Sequence, residues 1–340
     1  MLNIPDSNNP RVVIIGGGFA GVSLARKLKN KNFQVVLLDK HNYHNFQPLM
    51  YQVATGGLES GTIAYPIRKI VKEHKEAFFR MTLVEKIDTE NKKVLTDIGT
   101  IYYDYIVIAT GSTNNYFGNK EIEKNSMVMK TIPEALNIRS LILENFELAL
   151  QTNDMEERKT LMNFVIVGAG PTGVELAGAL AEMKNAVFPK DYPDLDLSMM
   201  EINLIQGGER ILDAMTKKSS KAAEKFLKEL GVKIHLNTIV TNYDGVTIET
   251  KDGLSLKTQA VIWSAGVKGA PVEGISQTLD RATRIKVNEF NQVEGFTDVF
   301  ALGDVAAMYG EKYQYGHPMM AQPAIQQGAL LAENLERLEK

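Results

Sequence analysis

The chain has 340 residues, 44% of them hydrophobic, a formal net charge of −3 and no cysteine. That length suits two or three domains with well-buried cores; the near-balanced charge gives no electrostatic basis for a nucleic-acid partner; the missing thiols exclude disulfide frameworks, thiolate metal sites and any CxxC redox pair. The polar start up to Pro10 lacks the layout of a secretory signal, and no run of about 18 apolar residues occurs, so the chain is expected to be cytoplasmic, without a membrane span and without a metal site.

In chain order, the β-branched run Val12–Ile15 reads as a buried parallel strand. It enters the glycine turn Gly16-Gly17-Gly18-Phe19-Ala20-Gly21, a helix follows from Gly21 to about Lys29, and a second strand, Phe33 to Asp39, closes on an acid. His41 to Gly57 reads as a ligand-side loop rich in aromatics and amides, and Pro66 to Lys75 as a helix. Between Leu83 and Ile108 lie short strands, Leu83–Ile87, Lys93–Thr96 and Tyr105–Ile108, read as returning to the sheet before the turn Ala109-Thr110-Gly111. An amphipathic helix is expected over Ile132–Leu150.

The pattern then restarts. Phe164–Val167 is a strand, Gly168-Ala169-Gly170-Pro171-Thr172-Gly173 a second glycine turn, and its helix runs through Leu180. After a Pro- and Asp-rich excursion, Pro189 to Ser198, come the strand Ile202–Gln206, a helix from Ser219 to about Leu230 stopped by Gly231, and strands at Val232–His235 and Gly245–Glu249. Ala260–Gly266 repeats the strand-then-glycine close of Ile106–Gly111. Val299–Asp304 leads to a last helix from about Pro323 to Lys340.

Two such turns, each between a strand and a helix, point to an enzyme that holds two dinucleotides. The first glycine of each makes the tight turn, the second lets backbone approach a pyrophosphate, and the third lets the helix pack closely, with the diphosphate on the helix N-terminus. Asp39, 18 residues past Gly21, falls where a ribose needs an acceptor.

Gly16 to Gly21 with Asp39, the turn at Thr110-Gly111, the second fingerprint and the late Thr297–Asp304 run together resemble the two-dinucleotide-binding-domain flavoproteins. The resemblance implies an α/β fold of glutathione-reductase topology: two Rossmann-like dinucleotide-binding domains, the FAD domain discontinuous. Residues 1–115 are its first part, 116–162 a connecting helical segment, 163–270 the NAD(P)H domain, and 271–340 the return of the FAD domain with a quinone-site helix. FAD then falls to the first fingerprint and NADH to the second, with Gly303 and Asp304 serving the sugar-alcohol chain of the flavin and Gly266 closing the second site.

His44–Ala54, the run ending at Glu175, and Ala321-Gln322-Pro323-Ala324-Ile325-Gln326-Gln327-Gly328 are similar to type II NADH:quinone oxidoreductases. By that resemblance Gln322 and Gln326 flank a quinone head group beside Ala321, Pro48 and Leu49 approach the isoalloxazine, and Glu175 lies on the nicotinamide side. Gln322 and Gln326 are four apart and share one helical face, where amides can donate to or accept from a carbonyl that becomes a hydroxyl. The implied activity is respiratory hydride transfer from NADH to FAD and on to a quinone, without proton pumping; a ferredoxin- or rubredoxin-reductase-like enzyme and an apoptosis-factor-like NADH sensor are the alternatives. Two departures stand out. Gln206 replaces the family's strand-end acid, so NADPH is expected to serve alongside NADH, with Arg210 as a partner for its extra phosphate. The chain ends at Lys340, before the C-terminal membrane-anchoring region of the family. Peripheral attachment, at the cytoplasmic face of the inner membrane, is expected only of a chain carrying that region; a homodimer is compatible with the sequence.

Overall fold

The computed structural model describes residues 2–275 and 278–340. Two compact units emerge: one from the segments up to Asn45, Ala64–Thr113 and Val267 onward, the other from Phe46–Ile63 and Asn114–Gly266. Phe46–Ile63 thus groups with the second unit, although its sequence position lies inside 1–115, and the segment 116–162 also packs there rather than standing apart. The reason for the first is local. Met50–Ala54 forms a helix that buries Met50, Val53 and Ala54 and packs on the helices Ile132–Gln151 and Pro171–Glu182.

In the first unit five strands lie in the order Val299–Ala301, Tyr105–Ile108, Arg11–Ile15, Gln34–Asp39, Ala77–Met81. Every neighbouring pair is parallel. Alternate side chains feed opposite cores, as the pleat requires. Val12, Ile14, Val35, Leu37 and Val107 meet Leu24 and Leu28 at the first glycine helix, Phe19–Lys27, and Leu331 and Leu335 of the C-terminal helix, Ala321–Leu338. Val13, Ile15, Val36, Leu38, Ile106 and Ile108 face the other way, onto Ile87, Val94 and Ile101. Both faces being covered, these strands read as unbroken apolar runs.

Those last three residues belong to Val84–Asp88, Lys93–Thr96 and Gly99–Tyr102, which form a separate antiparallel sheet instead of returning to the parallel one. Only Tyr105–Ile108 returns. The connections between the three are too short for the crossover a parallel pair needs. The strand Ala77–Met81 escaped the sequence reading, and the helix expected over Pro66–Lys75 shrinks to Ile67–Val71, because Ala64–Pro66 pairs with Tyr43–Asn45.

The second unit repeats the plan. Its parallel sheet runs Lys233–His235, Glu201–Ile205, Asn163–Val167, Ala260–Trp263. Val165, Val167, Ile205, Val261 and Trp263 pack on Tyr243 and Ile248 of a three-stranded antiparallel sheet. Phe164 points to the other face, into an aromatic cluster with Phe146, whose ring lies 4.2 Å from that of Phe188 and 5.1 Å from that of Tyr192. The helix carrying Phe146 opens with a capping box, Thr131 with Glu134. Both units are α/β, built on parallel sheets.

Candidate active site

The first glycine turn is shaped by contacts that no side chain could share. Gly16 has φ +109°, and a Cβ there would lie 2.3 Å from the Ala109 carbonyl oxygen; at Gly21 it would lie 2.0 Å from the Gly16 oxygen. These two glycines are demanded by the chain itself. Gly18 differs: it has an ordinary φ of −74°, and nothing lies within 4 Å of where its Cβ would be. It caps the helix Phe19–Lys27 without a side-chain hydrogen bond, and no acid occupies the first turn. The amide groups there, with the positive end of the helix dipole, form a ready anion site. At the end of the neighbouring strand, Asp39 accepts from the Gly17 amide through Oδ2 and from the His41 amide through Oδ1 at 2.7 Å. Thr110 donates to the Ala270 carbonyl at 2.6 Å, and Gly111, at φ +74°, accepts from the Ala270 amide at 3.1 Å, which pins the turn after the strand Tyr105–Ile108.

The second turn is a near copy. Gly168 has φ +102° and would set a Cβ 2.5 Å from the Ala265 Cα; Gly173 would set one 1.9 Å from the Gly168 oxygen; Gly170 again faces open space and caps Pro171–Glu182 without a side-chain bond. Gln206 stands where Asp39 stands in the first copy: its Oε1 accepts from the Ala169 amide at 2.9 Å. Ser264, which the sequence reading passed over, donates to the Val167 and Gly168 carbonyls at 3.0 and 2.9 Å and closes the turn from the next strand. Gly266, at φ +154°, follows three residues after that strand ends at Trp263. Arg210 is anchored in its own loop: its guanidinium donates to the Met215 carbonyl at 2.8 Å and to the Asp213 carbonyl, two of its five N–H groups.

In the first unit, Ser112 donates to Asp304 Oδ2 at 2.7 Å. Gly303 takes φ +71°, with Ala20 and Ala324 each 3.3 Å from where its Cβ would be, so the turn seats against both helices of that core. Its amide donates to Gln327 Oε1 at 2.7 Å. Gln327 is the amide the sequence reading missed: it is buried, whereas Gln322 and Gln326 are exposed. The signal was present, since Ala324, Gln327, Leu331 and Leu335 fall on one helical stripe, the one laid against Phe19–Lys27. Gly328 shows how tight this contact is, for a Cβ there would come 2.6 Å from the Ala20 oxygen. A cleft of about 300 Å³ opens beside the helix, lined by apolar Met308, Pro318, Pro323 and Leu330 and by polar Asn291, His317, Gln326 and Gln327. Gln326 therefore reaches it and Gln322 does not. Ala321 starts the helix.

Of the remaining expected residues, Pro48 and Leu49 sit in the short 3-10 turn Gln47–Leu49 of the second unit, Pro48 exposed and Leu49 half-buried. Glu175, on Pro171–Glu182 of the same unit, lies off the buried stripe of that helix and is exposed at the surface, yet the protein mass around it raises its carboxyl above the usual range by desolvation. His44 binds the Gly17 carbonyl through Nδ1 at 2.9 Å and meets Phe19 edge-on; burial, with Arg26 adding to it, outweighs the Gly17 bond and lowers its pKa. It buttresses the first turn. Among the described residues no group of three or more His, Asp and Glu is placed to hold a metal ion.

A pair of such turns on twin parallel sheets defines a two-dinucleotide oxidoreductase, and residues 10–328 match the family described as Pyridine nucleotide-disulphide oxidoreductase. The chain is 35% identical over 339 residues to the type II NADH:quinone oxidoreductase Ndh of Mycobacterium tuberculosis, covering 96% of this chain and 72% of that protein. NdhA of the same organism is 37% identical over 330 residues, covering 93% and 69%. The structure of NDH2 from Plasmodium falciparum in complex with NADH superposes with a TM-score of 0.88 at 21% identity, over 96% of this chain and 83% of that one, a likeness of fold. The chain belongs to the pyridine nucleotide-disulphide oxidoreductase family and, within it, to the type II NADH:quinone oxidoreductases.

Proposed function

We propose that this chain is an FAD-dependent NADH:quinone oxidoreductase. The observation that carries the reading, beyond kinship, is the doubled turn: two helix N-termini without side-chain caps or first-turn acids, each fronted by a glycine that the protein itself does not require. That donor set fits a pyrophosphate at each site. FAD would supply the two-electron exchange, hydride in from NADH and two electrons out, so that NADH, a quinone and a proton become NAD⁺ and quinol.

The chain's part is binding, orientation and charge. Gly16, Gly18, Gly21, Asp39, Thr110, Gly111, Gly303, Asp304 and Ala321 are assigned to FAD, with Pro48 and Leu49 toward its ring. Gly168, Gly170, Gly173, Gln206 and Gly266 are assigned to NADH, with Glu175 on its nicotinamide side. Gln326 is assigned to the quinone, because it lines an apolar cleft and an amide can follow a carbonyl through to a hydroxyl; Gln322, exposed on the same helix, is the second candidate. With no cysteine in the chain, no disulfide can relay electrons, so they must leave for an external acceptor. Among the described residues no helix is long and apolar enough to cross a membrane. Attachment at the cytoplasmic face of the inner membrane, where lipid-soluble quinones reside, is proposed for the protein when it carries an anchoring region.

Single-turnover absorbance tests the reading. NADH should bleach bound flavin, and a short-chain quinone should restore its colour. Gln326→Ala should slow the second step by about three- to tenfold, the worth of one hydrogen bond, and leave the first unchanged. A quinone that fails to reoxidise the wild-type flavin would sink the proposal; equal slowing of both steps would remove Gln326 from the acceptor side.

A further inference from the structure

Phe117 presents a large apolar ring to solvent on a backbone that resists it. The side chain is 69% exposed, and the residue takes φ +53°. Among the described residues it is the one aromatic at positive φ, a conformation that strains any bulky residue and persists only where the surroundings enforce it. Hydrogen bonds do so here. The Phe117 amide donates to Asn115 Oδ1 at 2.9 Å, the Asn115 amide donates to the Gly266 carbonyl at 3.0 Å, and Trp263 Nε1 donates to the Asn115 carbonyl at 3.0 Å. On the other side of the ring, Asn119 donates through Nδ2 to the Thr241 carbonyl at 2.8 Å. Tyr116 stacks on Trp263 with ring centroids 6.2 Å apart, so the segment is tied to the end of the strand Ala260–Trp263 while Phe117 is left outside.

That strand end borders the second glycine turn. A Cβ on Gly168 would meet Ser264 and Ala265 at 2.5 Å, and one on Gly266 would come 3.0 Å from Cζ of the Phe117 ring. The chain builds this sheet outward from Asn163–Val167, first to Glu201–Ile205 and Lys233–His235 on one side and then to Ala260–Trp263 on the other. Ligands of such sheets lie in the crevice beyond the carboxyl ends of the strands, where the order switches sides. A dinucleotide with its pyrophosphate on the turn and its adenosine toward Glu201–Ile205 therefore sends its other half toward Ala260–Trp263. We propose, resting on the reading of the second turn as the NADH site, that the Phe117 ring is the apolar wall of the nicotinamide end of that site, packing on the nicotinamide and leaving the adenosine half untouched. A ring already fixed in place makes such a contact without a further ordering cost on binding. The strained backbone is what carries the ring to the crevice.

The test uses the flavin-containing enzyme, with anaerobic flavin reduction by NADH and calorimetric binding of NAD⁺ and of ADP-ribose, which lacks only the nicotinamide. Phe117→Asn, whose side chain tolerates positive φ, should melt within about 2 °C of wild type. It should weaken NADH, in the concentration dependence of flavin reduction, and NAD⁺, in calorimetry, by about three- to tenfold, the worth of one aromatic contact. ADP-ribose should bind within about twofold of wild type, and reoxidation of the flavin by a short-chain quinone should be unchanged. Phe117→Tyr keeps the ring and should bind all three ligands as wild type does. Unmoved NADH and NAD⁺ affinities in Phe117→Asn, an equal weakening of ADP-ribose, or a loss in Phe117→Tyr as large as in Phe117→Asn overturns the proposal. Melting well below wild type does so too, since the ring would then belong to the fold. Should wild type bind neither NAD⁺ nor ADP-ribose, the reading of the second turn as the NADH site fails and the proposal with it; a wild type that binds both, beside an unaffected Phe117→Asn, sinks the proposal alone.

Discussion

Gln327 ties the C-terminal helix to the Gly303–Asp304 turn, and its replacement measures that tie. The side chain is 6% exposed, and its Oε1 is 2.7 Å from the Gly303 amide. Gln327→Leu keeps the bulk and removes the acceptor, leaving the Gly303 N–H without its Gln327 partner in a turn seated against Ala20 and Ala324. An unsatisfied donor in such a place costs about 1–3 kcal/mol. With about 2–4 °C lost per kcal/mol in units of this size, a 2 kcal/mol loss lowers the unfolding midpoint of the apoprotein by roughly 4–8 °C. The turn also carries Asp304, assigned to the flavin, so the variant should lose flavin faster on dilution, read as rising free-flavin fluorescence. Gln322→Leu is the control: the residue is exposed at the start of the same helix and should stay within about 0.5 kcal/mol of wild type. A Gln327→Leu protein that melts with wild type and keeps its flavin equally well would show that the bond contributes nothing and that the turn is held by other contacts.

Two further outcomes follow from the same geometry. Gly18→Ala and Gly170→Ala should melt close to wild type, since a methyl meets nothing at either place, yet the first should lose affinity for FAD and the second for NADH; Gly21→Ala and Gly173→Ala, with a Cβ 2.0 and 1.9 Å from a carbonyl oxygen, should fail to accumulate as folded protein. Normal flavin content in Gly18→Ala would remove the anion site from the first turn. Because the carboxyl of Glu175 titrates higher in the folded chain than in the unfolded one, its contribution favours folding below the ordinary Glu pKa and is lost as pH rises through the raised value. Glu175→Gln lacks that term, so its urea midpoint relative to wild type should climb between pH 4 and pH 7; a constant difference would mean that the group is not desolvated.

The features legible in the sequence were those that the backbone cannot build otherwise. Gly21 and Gly173 are forced by the oxygens of Gly16 and Gly168, five residues back, and Gly16 and Gly168 by their positive φ, so the spacing itself announces the turn. Asp39 was legible for a similar reason, since the register of its strand against Arg11–Ile15 brings it to Gly17. Distant packing was not legible. Whether Phe46–Ile63 sides with one unit or the other depends on Met50, Val53 and Ala54 meeting helices more than 75 residues further on. The choice among Gln322, Gln326 and Gln327 depends on which stripe of the last helix faces Phe19–Lys27, a partner about 300 residues earlier in the chain. Arg210 shows a third limit: its guanidinium bonds to the Met215 and Asp213 carbonyls of its own loop are invisible in a string of letters.

The internal repeat separates what the fold requires from what a ligand requires. At the first and third glycines of each turn the protein's own atoms forbid a side chain, so identity between the copies there says only that both chains turn alike. At the position after the first glycine the copies differ, Gly17 against Ala169, although both supply the same amide to a strand-end oxygen; the backbone group is what matters, and the side chain is free to change where space allows. Gly18 and Gly170 fit neither pattern. Each has an ordinary backbone conformation and empty surroundings, so nothing in the chain prevents a side chain there, including the Ser, Asn or Asp that would cap the helix through its own oxygen. Glycine in both copies at a place where the protein exerts no demand points to something outside the protein that comes within a methyl's width of the backbone. An anion seated on the helix N-terminus would make that approach, once in each copy.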